Sequence, residues 1–283
     1  MADKRTETND LPDETSAVPV HLLEKFNASP VVDIVGVVNA LGAGGGQSRG
    51  ETWWTLRFRL VRWKRQDGAV QRSELLVQQF LDGEALRKAM NALTEYRVVA
   101  LRVRLAAEDA SGSPKALLLK ILDRDSPDVE MRREAEELQR PVTLHDDYFG
   151  ELLLDRRFND FTVTKDWRGK PVDLSLSMGD CQDTAAFLRL ARELWEAQDH
   201  WHTRITEFAV AQLLPLKNDN WLDEDEEEVS PKEFADRMEL TSISLNPDGS
   251  FTFWHNDGDL FWGHCIQISG SMEGGPTDAD IPG

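Results

Sequence analysis

The sequence FTFWHNDGDLFWGHCIQI, residues 251–268, predicts two antiparallel strands joined by a tight turn. Asp257-Gly258 is the signal for the turn, because a two-residue reversal needs positive φ angles, which Gly and Asp tolerate best. Upstream, residues 246–249 read NPDG, which is typical of a type I turn followed by a glycine bulge. Together the two turns predict a three-stranded antiparallel meander.

The positions of the two turns also predict the register of the meander. Pairing about the second turn would set Phe253 beside Trp262 and Phe251 beside His264. Period-two alternation then gathers the large apolar side chains on one face, which we expect to be the core. The residues on that face are Ile243, Leu245, Phe251, Phe253, Leu260, Trp262, His264, Ile266 and Ile268.

His264 is the residue of this face that needs an explanation, since its neighbours are apolar. One interpretation is a buried neutral imidazole with hydrogen-bonded nitrogens, as is usual for polar groups in a core. The other is a metal-assisted hydrolytic site centred on Asp257, Asp259 and His264, with the imidazole as ligand or base. His255 and His264 cannot form a metal site by themselves, because the predicted register separates them by roughly 13 Å. The sequence therefore assigns no metal and no cofactor.

Length and composition limit the protein class. The chain has 283 residues, enough for about two domains with a core each. It has two cysteines, too few for a disulfide framework, and no apolar run of membrane-spanning length or of the signal-peptide kind. We therefore expect a cytoplasmic protein with no membrane partner. Residues 1–30 are polar and aperiodic, which predicts a disordered tail.

Charge is divided unevenly along the chain. Residues 31–125 contain 15 Lys and Arg against 11 Asp and Glu, whereas residues 126–283 contain 14 against 34. The acidic C-terminal half should repel a phosphate backbone, while the first half need not. The difference indicates two domains with different surfaces.

Residues 31–125 predict an OB-like β-barrel. Trp54, Leu56, Phe58 and Leu60 alternate with polar and basic residues, as in a half-buried strand. In total, five strands and one helix are predicted in the order β-β-β-α-β-β, which is the order of an OB-fold. The glycine-rich residues 42–50 are expected to form a flexible loop.

An OB-like barrel raises the alternative of single-stranded nucleic-acid binding, because such barrels often combine a basic groove with aromatic platforms. The side chains that could supply both are Arg57, Arg59, Arg62, Lys64 and Trp63. The competing interpretation is an ordinary solvated strand face, since the net positive charge of the domain is small.

The rest of the chain predicts a helical linker over residues 126–142 and an α+β domain over residues 143–283. Ser126, Pro127 and Glu130 form a helix-start signal for the linker. In the second domain, helical spacing over residues 187–216, with a bend near residues 199–203, predicts a pair of helices. The predicted fold class is α+β, an OB-like β-barrel followed by a domain whose antiparallel meander packs on long helices.

We interpret the acidic run after Trp221 as a solvated loop, with a loose divalent-cation loop and a surface offered to a basic partner as the alternatives. It lacks the spacing and central glycine of an EF-hand loop, so calcium binding of that kind is excluded. We count Trp262 and His255 with the run as candidate binding residues; the run contributes Asp223, Glu224, Asp225 and Glu226.

The C-terminal half contains several unusual short sequence motifs in a recognisable order. They are WLDEDEE, a segment containing KEF and RM, then PDGSFTFWHNDGDLFWGH and finally GGPTDADIPG. Because of these motifs the chain resembles the bacterial domain-of-unknown-function family 2262 (DUF2262) over roughly residues 143–283. The resemblance implies a domain boundary but no activity, and it places Asp257, Asp259, Trp262 and His264 in the recurrent motif of the family.

No catalytic signature is present: the sequence has no nucleophile elbow, zinc-protease motif, phosphate loop or paired-cysteine motif. We therefore expect a non-enzymatic protein of accessory or immunity type, whose acidic C-terminal domain binds another protein with a basic surface. Single-stranded nucleic-acid binding by the first domain and the hydrolytic site remain the alternatives.

Overall fold

The computed structural model describes residues 26–106, 114–179, 181 and 183–282. The chain divides into two compact units, Met1–Arg140 and Pro141–Gly283. In the described ranges, no helix combines the length and the apolar character that crossing a bilayer requires.

The first unit contains six strands and two helices in the described residues. Its strands are β1 (Val31–Val38), β2 (Gly44–Gly46), β3 (Trp54–Arg65), β4 (Leu75–Leu81), β5 (Val98–Leu105) and β6 (Lys115–Asp123). Its helices are α1 (Gly83–Ala92) and α2 (Val129–Gln139). The glycine segment predicted to be a flexible loop contains β2, which pairs antiparallel with β3, because glycines 44–46 lie against residues 55–57 of that strand.

The strands of the first unit close into a barrel. The sheet order is β1-β5-β6-β4-β3-β2, and an additional pairing of β1 with β3 completes the ring. The pairing of β4 with β6 is parallel and the others are antiparallel. This is OB-fold connectivity, so the predicted barrel is confirmed. Leu56, Phe58 and Leu60 are buried inside it, as their alternation predicts.

Helix α2, predicted as part of a linker, packs on the barrel and belongs to the first unit. Met131 is fully buried and Ala135 is 5% exposed, in a cluster with Val37 and Val98. The predicted disordered tail lies outside the described residues up to position 25. Its last part is folded, because Phe26 is fully buried.

The second unit contains eight strands and three helices in the described residues. Its strands are β7 (Thr143–Asp146), β8 (Gly150–Asp155), β9 (Asp160–Trp167), β10 (Lys170–Ser177), β11 (Glu239–Leu245), β12 (Ser250–Asn256), β13 (Cys265–Ser271) and β14 (Gly275–Asp280). Its helices are α3 (Thr184–Glu196), α4 (Gln198–Asn220) and α5 (Pro231–Arg237).

All eight strands form one sheet, ordered from β14 to β7. Only the pairing of β10 with β11 is parallel, since the three helices connect these two neighbours. Alternate residues of the strands, such as Leu174, Ile243 and Phe253, are buried in one core with side chains of α3, α4 and α5. The predicted pair of long helices is present, but the break lies at Ala197, before the expected bend.

The predicted register of the hairpin after β12 is wrong. Phe253 pairs with Ile268 and Phe251 with Gly270, so strand β13 begins only at Cys265. Residues 257–264 form a loop instead of a two-residue turn. As a result Trp262 is 59% exposed and His264 is half-buried, whereas Phe261 is fully buried, although alternation with Leu260 and Trp262 would place it on the face opposite the core.

Candidate functional site

One candidate surface is the outer face of β2, β3 and β4, opposite the barrel core. Arg57 and Arg59 point outward there, because they alternate with the buried residues of β3. Arg57 lies across from Gly44, and Gly46 lies across from Thr55. A Cβ added at Gly44 or Gly46 would meet no atom within 4 Å, so this edge of the face is open.

The two arginines of this face differ in their partners. Arg59 donates to Glu74 at 2.8 Å, and both side chains are about half exposed. Arg57 is exposed and makes no hydrogen bond or ion pair with the described residues. Phe80 lies on the same face, half-buried, because it pairs with Thr55. Within the described part of the chain, the face thus offers the unpaired guanidinium of Arg57, the paired guanidinium of Arg59 and the aromatic ring of Phe80.

The other three residues proposed for nucleic-acid contact are occupied within the unit. Arg62 pairs with Glu134 at 3.2 Å, and Lys64, only 8% exposed, is held by Asp128 and Glu130 of the α2 region. Trp63 is 7% exposed, and its indole donates to the carbonyl of Ser73 at 3.0 Å.

These placements exclude Arg62, Lys64 and Trp63 from the open face. In the sequence the basic residues of β3 follow one another closely and look like one row, so these different positions could not be distinguished there. The strand extends past the open face to the part of the barrel that α2 covers, where acidic side chains balance Arg62 and Lys64.

The second candidate surface surrounds the loop of residues 257–264. Asp257 is 1% exposed, and its carboxylate accepts backbone N–H groups of Asp259, Phe261 and Gly263 at 3.2, 2.7 and 3.1 Å. Gly258, Asp259, Trp262 and Gly263 all have positive φ angles between 54° and 85°. A second glycine at position 263 was the signal in the sequence for a longer loop.

An aromatic cluster follows from this loop conformation. The ring of Trp221, the residue after α4, lies 4.7 Å from Trp262 and 5.4 Å from His264 between centroids. It also contacts Phe261 at 5.6 Å in an edge-to-face arrangement. Trp262, a candidate binding residue, is therefore exposed, and its ring packs against that of Trp221.

The acidic run beside this cluster contains two kinds of carboxylate. Glu226 is internal: it accepts from Lys217 at 2.6 Å and from Arg237 at 3.4 Å. Hydrogen bonding to Lys217 lowers the pKa of Glu226 despite the opposing effect of burial. The others are exposed and have no cationic partner among the described residues; they are Asp223, Glu224, Asp225, Glu227 and Glu228.

Two histidines are candidates, and among the described residues neither belongs to a group of three or more side chains that could hold a metal ion. His255 is 4% exposed, so it is not accessible to a macromolecular partner as proposed. Desolvation lowers the pKa of His255 to about 4, against an opposing hydrogen bond with the backbone of Ile266.

The proposed grouping of Asp257, Asp259 and His264 does not provide three ligands. The Asp257 carboxylate is used by backbone donors, and the described part of the chain contains no group of three or more His, Cys, Asp or Glu side chains able to hold a metal ion.

Two family models match the sequence. Residues 146–281 match DUF2262, described as an uncharacterized protein conserved in bacteria, which confirms the resemblance; the second unit is a DUF2262 domain. Residues 21–138 match DUF7021, a domain of unknown function. No curated protein matches the chain in sequence.

Several solved structures resemble parts of the chain, two of which follow. One is the small single-stranded DNA-binding protein from Streptomyces coelicolor, with 19% identity and a TM-score of 0.25 over 34% of this chain and 91% of that chain. The other is a replication protein A heterotrimer bound to single-stranded DNA, with 11% identity and a TM-score of 0.27 over 59% of this chain and 43% of that chain. The OB-fold assignment rests on the strand order described above.

Proposed function

We propose that the outer face of β2, β3 and β4 binds single-stranded nucleic acid. The observation that carries the proposal is Arg57, an exposed guanidinium without a partner among the described residues, on a face left open by Gly44 and Gly46. In OB barrels the face of the second and third strands and its flanking loops bind oligonucleotides. The equivalent strands of this barrel are β3 and β4.

The chemistry of the face suits a single strand better than a duplex. Arginine contributes phosphate contacts and stacking, and an aromatic ring such as Phe80 provides a platform for an unpaired base. Arg49, exposed in the segment between β2 and β3, adds a further cation at the edge. Few cations contribute, so we expect weak binding with a shallow dependence on salt.

The test is fluorescence anisotropy of a labelled oligonucleotide of about 20 nucleotides, long enough for an OB-fold site. The full chain should bind at low salt, and the affinity should fall as salt rises. Arg57→Glu and Arg59→Glu together should weaken binding at least about tenfold, because each reverses a charge at the phosphates.

The control is Arg133→Glu, on the exposed side of α2, which reverses one charge away from the face and is compared with Arg57→Glu alone. It should change the affinity by less than about twofold. Equal losses in both variants would indicate a general effect of net charge and would contradict a site on this face. Unchanged anisotropy of the full chain at low salt would also contradict it.

A second candidate function is protein binding by the acidic surface of the second unit, as an accessory or immunity-type protein. It is favoured by the five exposed carboxylates of the run that lack cationic partners among the described residues. Unbalanced charge of one sign steers an oppositely charged partner and makes association sensitive to salt. Glu226, already paired internally, takes no direct part.

This second proposal is tested by capture from a lysate of the native host at low and high salt, followed by binding measurements with the identified partner. Replacing the five exposed carboxylates by their amides should weaken the complex. Glu136→Gln and Glu137→Gln, at exposed positions of α2, should leave its affinity unchanged. A partner whose affinity is the same for the amide variant and the wild type would rule out the acidic run as its site.

A further inference from the structure

Trp221, Trp262 and His264 form a continuous aromatic surface, which we call the aromatic shelf. The indoles of Trp221 and Trp262 are 4.7 Å apart with planes inclined by 53°, and His264 meets Trp221 edge to face. Trp262 is 59% exposed, the most exposed tryptophan among the described residues. An exposed aromatic side chain of this size is costly to leave in water and indicates a contact surface.

The fold holds this indole outward. Trp262 has a φ of 56°, a left-handed conformation that costs about 1 kcal/mol for a residue with a side chain. The neighbouring N–H groups of Phe261 and Gly263 are both bound by the buried carboxylate of Asp257. Since the backbone on both sides of Trp262 is fixed, the direction of its Cα–Cβ bond is held as long as these hydrogen bonds are intact.

Exposed carboxylates lie close in sequence to both tryptophans of the shelf. Asp223 is two residues beyond Trp221, and Asp259 is three residues before Trp262. Both are exposed, and neither carboxylate has a cationic partner among the described residues. The face of an aromatic ring is also negative, so ring and carboxylates attract the same kind of group. The occupant that fits is a cation.

Arginine fits this combination better than lysine. A guanidinium is planar and weakly hydrated, stacks on aromatic faces, and can bind a carboxylate at the same time. The same unit already places arginines over aromatic rings: Arg204 lies 5.3 Å from the ring centre of Trp201, and Arg192, which also pairs with Asp146, lies 5.0 Å from that of Tyr148.

We propose that the aromatic shelf binds an arginine side chain of a basic protein segment, stacked on Trp262 with Asp223 or Asp259 as its carboxylate partner. The proposal rests on the second candidate function and names the group that is recognised. It separates two contributions: the acidic run attracts the partner over a distance, and the shelf selects arginine on contact.

The test is titration of the full chain with short arginine and lysine homopeptides, measured by calorimetry at low and moderate salt. Wild type should bind the arginine peptide more tightly than the lysine peptide. Trp262→Ala should weaken arginine-peptide binding about 5- to 30-fold, the range of a desolvated cation–π contact, and remove the preference. Because its side chain is mostly exposed, this variant should keep the wild-type melting temperature.

Trp254→Ala is the matched control, since Trp254 is a partly exposed tryptophan on β12 outside the shelf and should leave peptide binding unchanged. If Trp262→Ala binds like wild type while the five-amide variant of the acidic run binds weakly, the shelf proposal is wrong and protein binding by the acidic run stands. If wild type binds neither peptide at low salt, both fail. Equal affinity of wild type for the two peptides would also overturn recognition of arginine.

Discussion

The Nζ of Lys217 lies 2.6 Å from the Oε2 of Glu226, and none of the lysine side chain is exposed to solvent. The same ammonium donates to the carbonyl of Trp221 at 2.7 Å. Arg237 extends the network by pairing with Glu226 and donating to the carbonyl of Gly258 at 2.9 Å. One buried cation thus ties the end of α4 to the acidic run and, through Arg237, to the loop of residues 257–264.

Glu226→Gln should destabilise the second unit by about 2–3 kcal/mol. Breaking a buried ion pair by removing one partner costs about 3–5 kcal/mol, because the remaining charge is left uncompensated. The loss is smaller here since Glu226 is 24% exposed and Lys217 keeps its bond to Trp221. Urea denaturation measures the change, with the exposed neighbour Glu227→Gln as control. Equal stability of the two variants would show that Lys217 does not depend on Glu226.

The free energy of unfolding should decrease as the pH is lowered from about 6.5 to 4, because of His255. Burial lowers the pKa of His255 from 6.5 to about 4, so the unfolded state binds more protons in this window. The contribution is complete above pH 6.5 and is lost as pH falls through the folded pKa, in total about 3 kcal/mol.

His255→Phe removes this titrating group, so its stability should fall less than that of wild type over the window. His200→Gln, at an exposed position on α4, should follow wild type. Denaturation curves at pH 7, 5.5 and 4 measure the difference. Parallel pH profiles of wild type and His255→Phe would contradict the assignment.

Asp257→Asn should cost about 2–3 kcal/mol, since the amide replaces one acceptor oxygen by a donor that faces backbone N–H groups. Asp259→Asn should stay within about 0.5 kcal/mol, because the side chain is exposed and Asn tolerates its φ of 64°. The two variants have the same charge, so their thermal unfolding compares only the roles of the two carboxylates. Similar losses would mean that Asp257 does not organise the loop.

Gly258→Ala should reduce the stability of the second unit much more than Gly263→Ala. Both glycines have positive φ, 54° and 85°, which alone costs about 1 kcal/mol on substitution. A Cβ at Gly258 would also lie 2.4 Å from the carbonyl oxygen of Arg237, whereas one at Gly263 would meet nothing within 4 Å. The overlap should add about 2 kcal/mol. Denaturation curves of the two variants and wild type measure the difference in unfolding free energy. Equal losses in the two variants would mean that α5 moves to relieve the overlap at Arg237.

The OB barrel could be predicted because its signals are local. Alternation of Leu56, Phe58 and Leu60 gives the strand, and the helix between β4 and β5 fixes the element order. Which cations of β3 stay free was not predictable, since Glu134 lies 72 residues from Arg62 and meets it only when α2 packs on the barrel.

By itself, the sequence determined the two domains, their fold classes, the acidic surface and the DUF2262 resemblance, because periodicity, charge and motif order are properties of the chain. Only the tertiary structure decided how the loop of residues 257–264 packs, since Phe261 contacts Trp221 and Phe234, which lie far from it in the sequence, while the Asp257 carboxylate binds three N–H groups within the loop. That loop turns Trp262 from an expected core residue into an exposed one, and buries Phe261 in its place. Glu226, likewise, became structural only where folding brought Lys217 and Arg237 to it.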